Sequence, residues 1–531
     1  MDEVVTQRQG DWPKRAEFIA RSFPNHMRAD IDPTRASFLD GSVLNNRPFQ
    51  EAISAIHGRP AYRQVDRRLV YIDPHPAPEE ARRLHKMPGF FATLRGALSD
   101  LPSSQPVTDE LGRVTDFNEQ VRRLRAIIDS ARPHVSELVA GAVASTFDQA
   151  LSTDDIRVWR EQVNSQVAVD AGFAYQAYVR LKLASVRAFG AELIVKLRGV
   201  PAHSPMSRAV SEIIDAWALH KGIVYERADS EALEFETQTS GSLPAWVKYL
   251  LAFDVKYRER RLHFLIEGQN RLYQLIGQER FEGLDPLVVD RLKREFYGRL
   301  DGLRRRERAD FYSHEVRDLV ADIFPGAPSA GEIKHLGAYA RAFVEQSADK
   351  LDQLIERLAH EIGLNARTRE LDDLLASLDP ARWHPEARRE VLVNYLGFPF
   401  WDVLTFPITS ARELGELNEI LIDRISPQDA RALEGFDGIQ SLKGIGFGHF
   451  AAFLSRGYRE NDYLLGRLHA LDRLIDIVCD SAGIDPASTR IDVLALKKRA
   501  FTRILDVEAP HLTRSTELIA ALRRCVGGIG A

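Results

Sequence analysis

The residues best placed to do chemistry lie early in the 531-residue chain, in Phe38-Leu39-Asp40-Gly41-Ser42-Val43-Leu44-Asn45-Asn46-Arg47-Pro48. There an acid stands where an extended run ends and a helix begins. Functional groups of open α/β sheets gather at the carboxyl ends of strands. Gly41 allows the tight turn that would project the Asp40 carboxylate into a site. Asp-Gly is equally a common turn dipeptide, so spacing alone leaves turn chemistry and catalysis both open. His75, between Pro74 and Pro76, could line the same rim, although a plain loop residue has the same sequence appearance.

Other candidates are thinner. No GxSxG occurs, and Ser242 and Ser329 lack the glycine two places ahead that a strained nucleophile turn requires. His314-Glu315 and His360-Glu361 lack the second histidine of HExxH, and no metal site is expected. Gly444-Ile445-Gly446-Phe447-Gly448-His449 has its third glycine one place early for a dinucleotide loop. The two cysteines, Cys479 and Cys525, have neither CxxC nor metal spacing and fit a reducing compartment.

The elements that must position Asp40 are readable. Ala36 to Leu39 and Arg68 to Ile72 read as short strands. Between them Phe49, Ala52, Ile53 and Ile56 keep the i, i+3, i+4, i+7 spacing of one helical face, with Asn46 as cap, Pro48 in the first turn, and Gly58 and Pro60 as the stop. This is one βαβ crossover, which implies parallel strands, and a single such unit leaves the sheet incomplete.

Beyond Pro76 the pattern is helical almost to the end, with loops near Pro102 to Pro106, Ser240 to Pro244, Gly283 to Pro286, Pro325 to Gly331 and Pro399 to Thr409. The fold class expected is mostly α, an N-terminal α/β remnant followed by a large helical domain. In Asp290 to Arg308, Leu292, Phe296, Leu300 and Leu303 form an apolar stripe against an Arg-rich face. That face and the run Arg258-Glu259-Arg260-Arg261 read as solvated charge.

Phe-Leu-Asp-Gly-Ser-Val-Leu-Asn-Asn-Arg-Pro-Phe (residues 38–49), followed by Arg-Leu-Val-Tyr-Ile-Asp-Pro (68–74), resembles the end of a patatin-like phospholipase domain. Residues 459–475, Arg-Glu-Asn-Asp-Tyr-Leu-Leu-Gly-Arg-Leu-His-Ala-Leu-Asp-Arg-Leu-Ile, resemble the helical C-terminal domain of bacterial patatin-related proteins. From the residues themselves, Leu464, Leu468, Leu471, Ile475 and Val478 make a core stripe, with Asn461 or Asp462 as cap. Motif support is confined to residues 36–76 and 445–476.

The resemblance implies a patatin-like α/β portion over residues 1–76 and a helical domain over 77–531, with room for two subdomains. It also implies a lipid acyl hydrolase with a Ser-Asp dyad, in which Asp40 is the general base and Gly41 supports its turn, with Ser42 where glycine is usual. The nucleophilic serine and oxyanion loop lie upstream of the Asp motif in the family. The isolated chain is therefore expected to be inactive, as the C-terminal portion of an enzyme left by a shifted start or a frameshift. The alternative is a non-catalytic helical protein that binds a partner or lipid. The two differ at the strand remnant: an apolar sheet edge and flank should be exposed if another chain completes the sheet, and covered if it stands alone.

Composition bounds the rest. Hydrophobic residues are 44% and charged residues 28%, ordinary for a folded protein, and the net charge of −5 argues against nucleic acid. The N-terminus lacks signal-peptide character, and no stretch reads as a membrane span. A cytoplasmic location follows as the expectation, with peripheral membrane contact left open. A lipid or acyl-ester substrate is the expected partner, and no cofactor is called for.

Overall fold

The computed structural model describes residues 12–23, 26, 32–35, 49–56, 59–73, 107–143, 149–225, 243–409, 418–444, 451–484 and 491–529. The chain divides into two units: Met1–Ala52 with Ala77–Arg113, and Ile53–Pro76 with Val114–Ala531. The described part of the first includes helix α1 (Arg15–Ser22), the start of α2 (Phe49–Ile56) and the start of α3 (Val107–Ala142).

The second unit is mostly helical, as the pattern predicts, and carries a two-stranded parallel sheet. Strand β1 (Arg67–Ile72) falls where the sequence places it. Its partner among the described residues is β2 (Ile420–Ile425), in register from Arg67 opposite Ile420 to Ile72 opposite Ile425. This corrects the expectation that the chain is helical from Pro76 almost to its end. The expected strand Ala36 to Leu39, with Asn46 and Pro48, lies outside the described residues. Asn118 on α3 seats the new strand: its amide donates to the Ile420 carbonyl at 2.9 Å, and the Ile420 N–H donates back to its Oδ1 at 2.8 Å. A buried side chain thereby satisfies the backbone of the strand's first residue.

A large apolar core then forms from α3 through α13. These helices are α4 (Thr153–Ala171), α5 (Phe173–Arg198), α6 (Pro205–His220), α7 (Ala245–Phe253), α8 (Val255–Leu275), α9 (Pro286–Arg305), α10 (His314–Ile323), α11 (Leu336–Ile362), α12 (Leu364–Ala376) and α13 (Pro385–Thr409). Their starts follow local chemistry. Ser152 and Asp155 form a capping box on α4, Ser204 caps α6 ahead of Pro205, and the Asp254 carboxylate accepts the Tyr257 N–H to start α8. Ser329, read as a nucleophile without its glycine, is likewise a helix cap, paired with Glu332.

Helix α9 follows the expected stripe, with Leu292, Phe296, Leu300 and Leu303 all buried. Helix α13 replaces the loop expected from Pro399 to Thr409, running through Pro399 and Pro407. An interior proline costs ~3 kcal/mol. Here Tyr395, Leu396 and Trp401 are wholly buried around it, so packing outweighs the two lost backbone hydrogen bonds. The helix is also long and apolar enough to cross a membrane, but 67% of that stretch is buried within the fold, as in a core helix.

A second, smaller core joins α14 (Arg456–Ser481), α15 (Val493–Glu508) and α16 (Thr516–Gly528). Leu464 and Leu468 are buried as the stripe predicts, Leu471 and Ile475 are half-buried, and Val478 is exposed while Ile477 and Cys479 turn inward. The cap is Ser455 rather than Asn461 or Asp462. Asp462 instead accepts the backbone N–H groups of Lys443 and Gly444, at 2.8 and 2.7 Å, so the start of the glycine-rich segment is held against α14.

Candidate functional site

The charge run of α8 is not solvated. Arg258, Glu259 and Arg261 are buried, and Arg260 is half-buried against Asp402 of α13. Consecutive residues of a helix point about 100° apart, so the four charges face different neighbours. Arg260 reaches Asp402 with two parallel donors, Nε to Oδ1 at 2.7 Å and Nη2 to Oδ2 at 2.9 Å. The Tyr178 hydroxyl donates to the same carboxylate at 2.6 Å and accepts from Lys182 Nζ at 3.0 Å. Lys182 lies 3.1 Å from Asp254 and 3.7 Å from the centre of the Tyr257 ring. Burial alone would raise the Asp402 carboxyl, but Arg260 and Lys182 hold it below the usual range. Burial lowers Lys182, and the charge of Arg260 adds to that effect. These groups pair with one another, which describes a structural network.

Arg258 and Arg261 face the other way, into a cavity of about 480 Å³ between α8, α9 and α12. Its wall on α9 carries Arg294, Glu295 and Arg299, with Gly298 and Gly302 leaving the space open; a Cβ at either glycine would meet no atom within 4 Å. Its wall on α12 carries Arg367 and Glu370. Helix α12 follows α11 through Gly363, whose φ of 60° is a conformation that favours glycine.

The lining is five arginines against two glutamates. Glu295 is engaged by Arg299 Nη1 at 2.6 Å, and Glu370 by Arg367. Arg258 is pinned by carbonyls, donating to Asp254 O and Leu251 O at 3.0 Å each and to the Thr368 hydroxyl. Burial, then the nearby positive charge of Arg261, pushes Arg258 down to about 10.

Arg261 differs from all of these. It is 4% exposed, its Nε is buried without an acceptor, and no carboxylate among the described residues pairs with it. What holds it is aromatic: its guanidinium sits 4.7 Å from the centre of the Tyr395 ring and 5.6 Å from that of Tyr257. The rings orient a cation without neutralising it. The Nε atoms of Arg299 and Arg367 are also buried without acceptors. Sequence reading missed this site because a run of charges on a helix does not reveal which tertiary neighbours will cover it.

The sequence candidates fall elsewhere. Asp40, Gly41, His75 and Ser242 lie outside the described residues. His314 opens α10, and Glu361 accepts from the Ser313 hydroxyl and N–H. Cys479 and Cys525 are free thiols. Among the described residues no group of three or more His, Cys, Asp or Glu side chains could hold a metal ion.

The sheet carries a second feature. Strand alternation and the register put Arg68, Val70 and Ile72 on one face with Leu421, Asp423 and Ile425. Arg68 is tied there to Asp423 and to Asp480 of α14, at 2.9 and 2.6 Å, yet Val70, Ile72 and Leu421 remain exposed, Ile72 by 74%.

Residues 292–494 match a family described as a protein of unknown function, DUF3376. The matched span includes most of α9, all of α12 and strand β2, so it takes in Arg294, Arg299 and Arg367 but neither Arg261 nor β1. No curated protein and no solved structure matches the chain.

Proposed function

We propose that this chain is a patatin-like lipid acyl hydrolase family member whose Asp40 serves as general base for a serine that its own 531 residues do not supply. The observation that carries the reading is the Asp-Gly-Ser segment at residues 40–42, followed by Arg-Leu-Val-Tyr-Ile-Asp-Pro at 68–74. Two structural features support it. The second of these segments contains a strand in a parallel pair, the arrangement such a domain needs, and the pair leaves Val70, Ile72 and Leu421 uncovered on one face. Parallel sheets are normally covered on both faces, so this one has room for further structure.

In the complete reaction the serine oxygen attacks the acyl ester carbonyl while the Asp40 carboxylate takes its proton. The proton then passes to the departing alcohol, and water activated by the same carboxylate releases the acid from the serine. Asp40 supplies only the proton transfers.

The deciding experiment is the mass and N-terminal sequence of the native product in its source cells, captured with an antibody against the helical region. A longer product carrying GxSxG upstream of Asp40, or a stable complex with a chain that carries it, is the expected result. A lone 59.9 kDa product starting at Met1 with no such companion overturns the reading. The purified 531-residue chain should also resist fluorophosphonate labelling. Labelling abolished by mutating one of its own serines to alanine would show a nucleophile that this reading lacks.

A further inference from the structure

We propose that the cavity between α8, α9 and α12 binds a phosphate group, as the free anion or as the phosphate of a small ester headgroup. The inference goes beyond the acyl-hydrolase reading and does not rest on it, because its test is binding rather than hydrolysis.

The argument starts from Arg261. A buried guanidinium with no acceptor at its Nε and no carboxylate partner among the described residues is a costly arrangement, and proteins avoid it unless something completes it. Its neighbours explain why no described protein group does so. Glu295 and Glu370 are taken by Arg299 and Arg367, and Arg258 adds a further positive charge to the same space. The group that would complete it is therefore an anion.

Geometry selects the class of anion. The arginines approach from three helices, so their donors arrive from several directions. A planar carboxylate offers two oxygens in one plane, whereas a tetrahedral phosphate presents oxygens to each wall and suits the bidentate fork of a guanidinium. The open α9 wall at Gly298 and Gly302 leaves room beyond the phosphate itself, and a cavity of about 480 Å³ falls within the ~300–1,000 Å³ of small-molecule sites. An ester substituent on the phosphate would occupy that glycine side.

The test is calorimetric titration of the full chain with inorganic phosphate, glycerol 3-phosphate and acetate, alongside sedimentation with vesicles of phosphatidic acid or phosphatidylcholine. Two variants accompany the wild type: Arg261→Met removes the unpaired donor, and Gly302→Leu fills the cavity with no change of charge. Phosphate or glycerol 3-phosphate should bind the wild type, with affinity lowered at least about tenfold in each variant, since charge-assisted hydrogen bonds and steric access are lost separately. Sedimentation with phosphatidic acid, competed by glycerol 3-phosphate, would assign the site to a lipid headgroup; binding of the soluble probes without sedimentation would assign it to a soluble phosphate. The proposal is overturned if no phosphate probe binds, if both variants bind as the wild type does, or if acetate binds as tightly as phosphate.

Discussion

Arg260 and Arg261 are adjacent, identical in type and close to the same core, yet replacing each by methionine should have unequal consequences. Arg260→Met leaves the Asp402 carboxylate, 1% exposed, without the two short donors that hold it ionised. Breaking a buried pair in this way costs ~3–5 kcal/mol, and the lost packing of Arg260 over Phe406, 4.3 Å away, adds to it. Arg261→Met forfeits stacking on Tyr395 and Tyr257, worth ~0.5–2 kcal/mol each, but also relieves an unpaired buried cation whose desolvation costs several kcal/mol. In phosphate-free buffer its stability should stay within ~1 kcal/mol of the wild type, so the two variants should differ by at least ~2 kcal/mol.

Urea unfolding followed by tryptophan fluorescence is suited to the comparison, because Trp401 is fully buried and adjoins Asp402 on α13. Circular dichroism must report the same transition for the free energies to be read from a single equilibrium. If Arg261→Met loses as much stability as Arg260→Met, Arg261 is satisfied within the fold and needs no anion.

Three further outcomes follow from particular contacts. Burial and then Glu307 raise Glu259 to about 7, against the partial compensation of Lys256. The native state then binds more protons than the unfolded state between pH 4.5 and 7, so this group makes stability fall as pH rises through that window, by up to about 3 kcal/mol. Glu259→Gln should flatten that slope in denaturation curves at pH 5 and pH 7.5, and an unchanged slope would assign it to other groups. At Gly397 a Cβ would lie 2.2 Å from Val135 Cγ1 of α3 and 3.2 Å from Trp401, so Gly397→Ala should cost ~1–3 kcal/mol despite better helix propensity, with Val135→Ala recovering part of it in the double variant. Lys497 is held protonated: burial would lower it, but Asp472 and Asp476 outweigh that effect. Lys497→Met should therefore destabilise the α14–α16 core by ~3–5 kcal/mol through the stranded Asp472, and a loss below ~1 kcal/mol in thermal unfolding would contradict it.

Where the information was local, the sequence by itself determined the outcome. The helical class, strand β1 and the buried stripe of α9 follow from apolar periodicity, because which face turns inward depends only on the spacing of neighbouring residues. The helix caps are equally local, since Ser or Asp acts on N–H groups two or three residues away. What only the tertiary structure decided depends on partners far along the chain. Strand β2 pairs with a segment some 350 residues upstream and takes its first backbone bonds from Asn118. Helix α13 runs through two prolines because the core around Trp401 repays their cost. The run Arg258 to Arg261 reads as a solvated face because nothing local distinguishes its members. Asp402, 142 residues beyond Arg260, claims that arginine, while two tyrosine rings hold Arg261 at the cavity with its charge unanswered. Charge on a helix is visible in the sequence; whether it is paired depends on which distant side chains the fold brings within 3 Å.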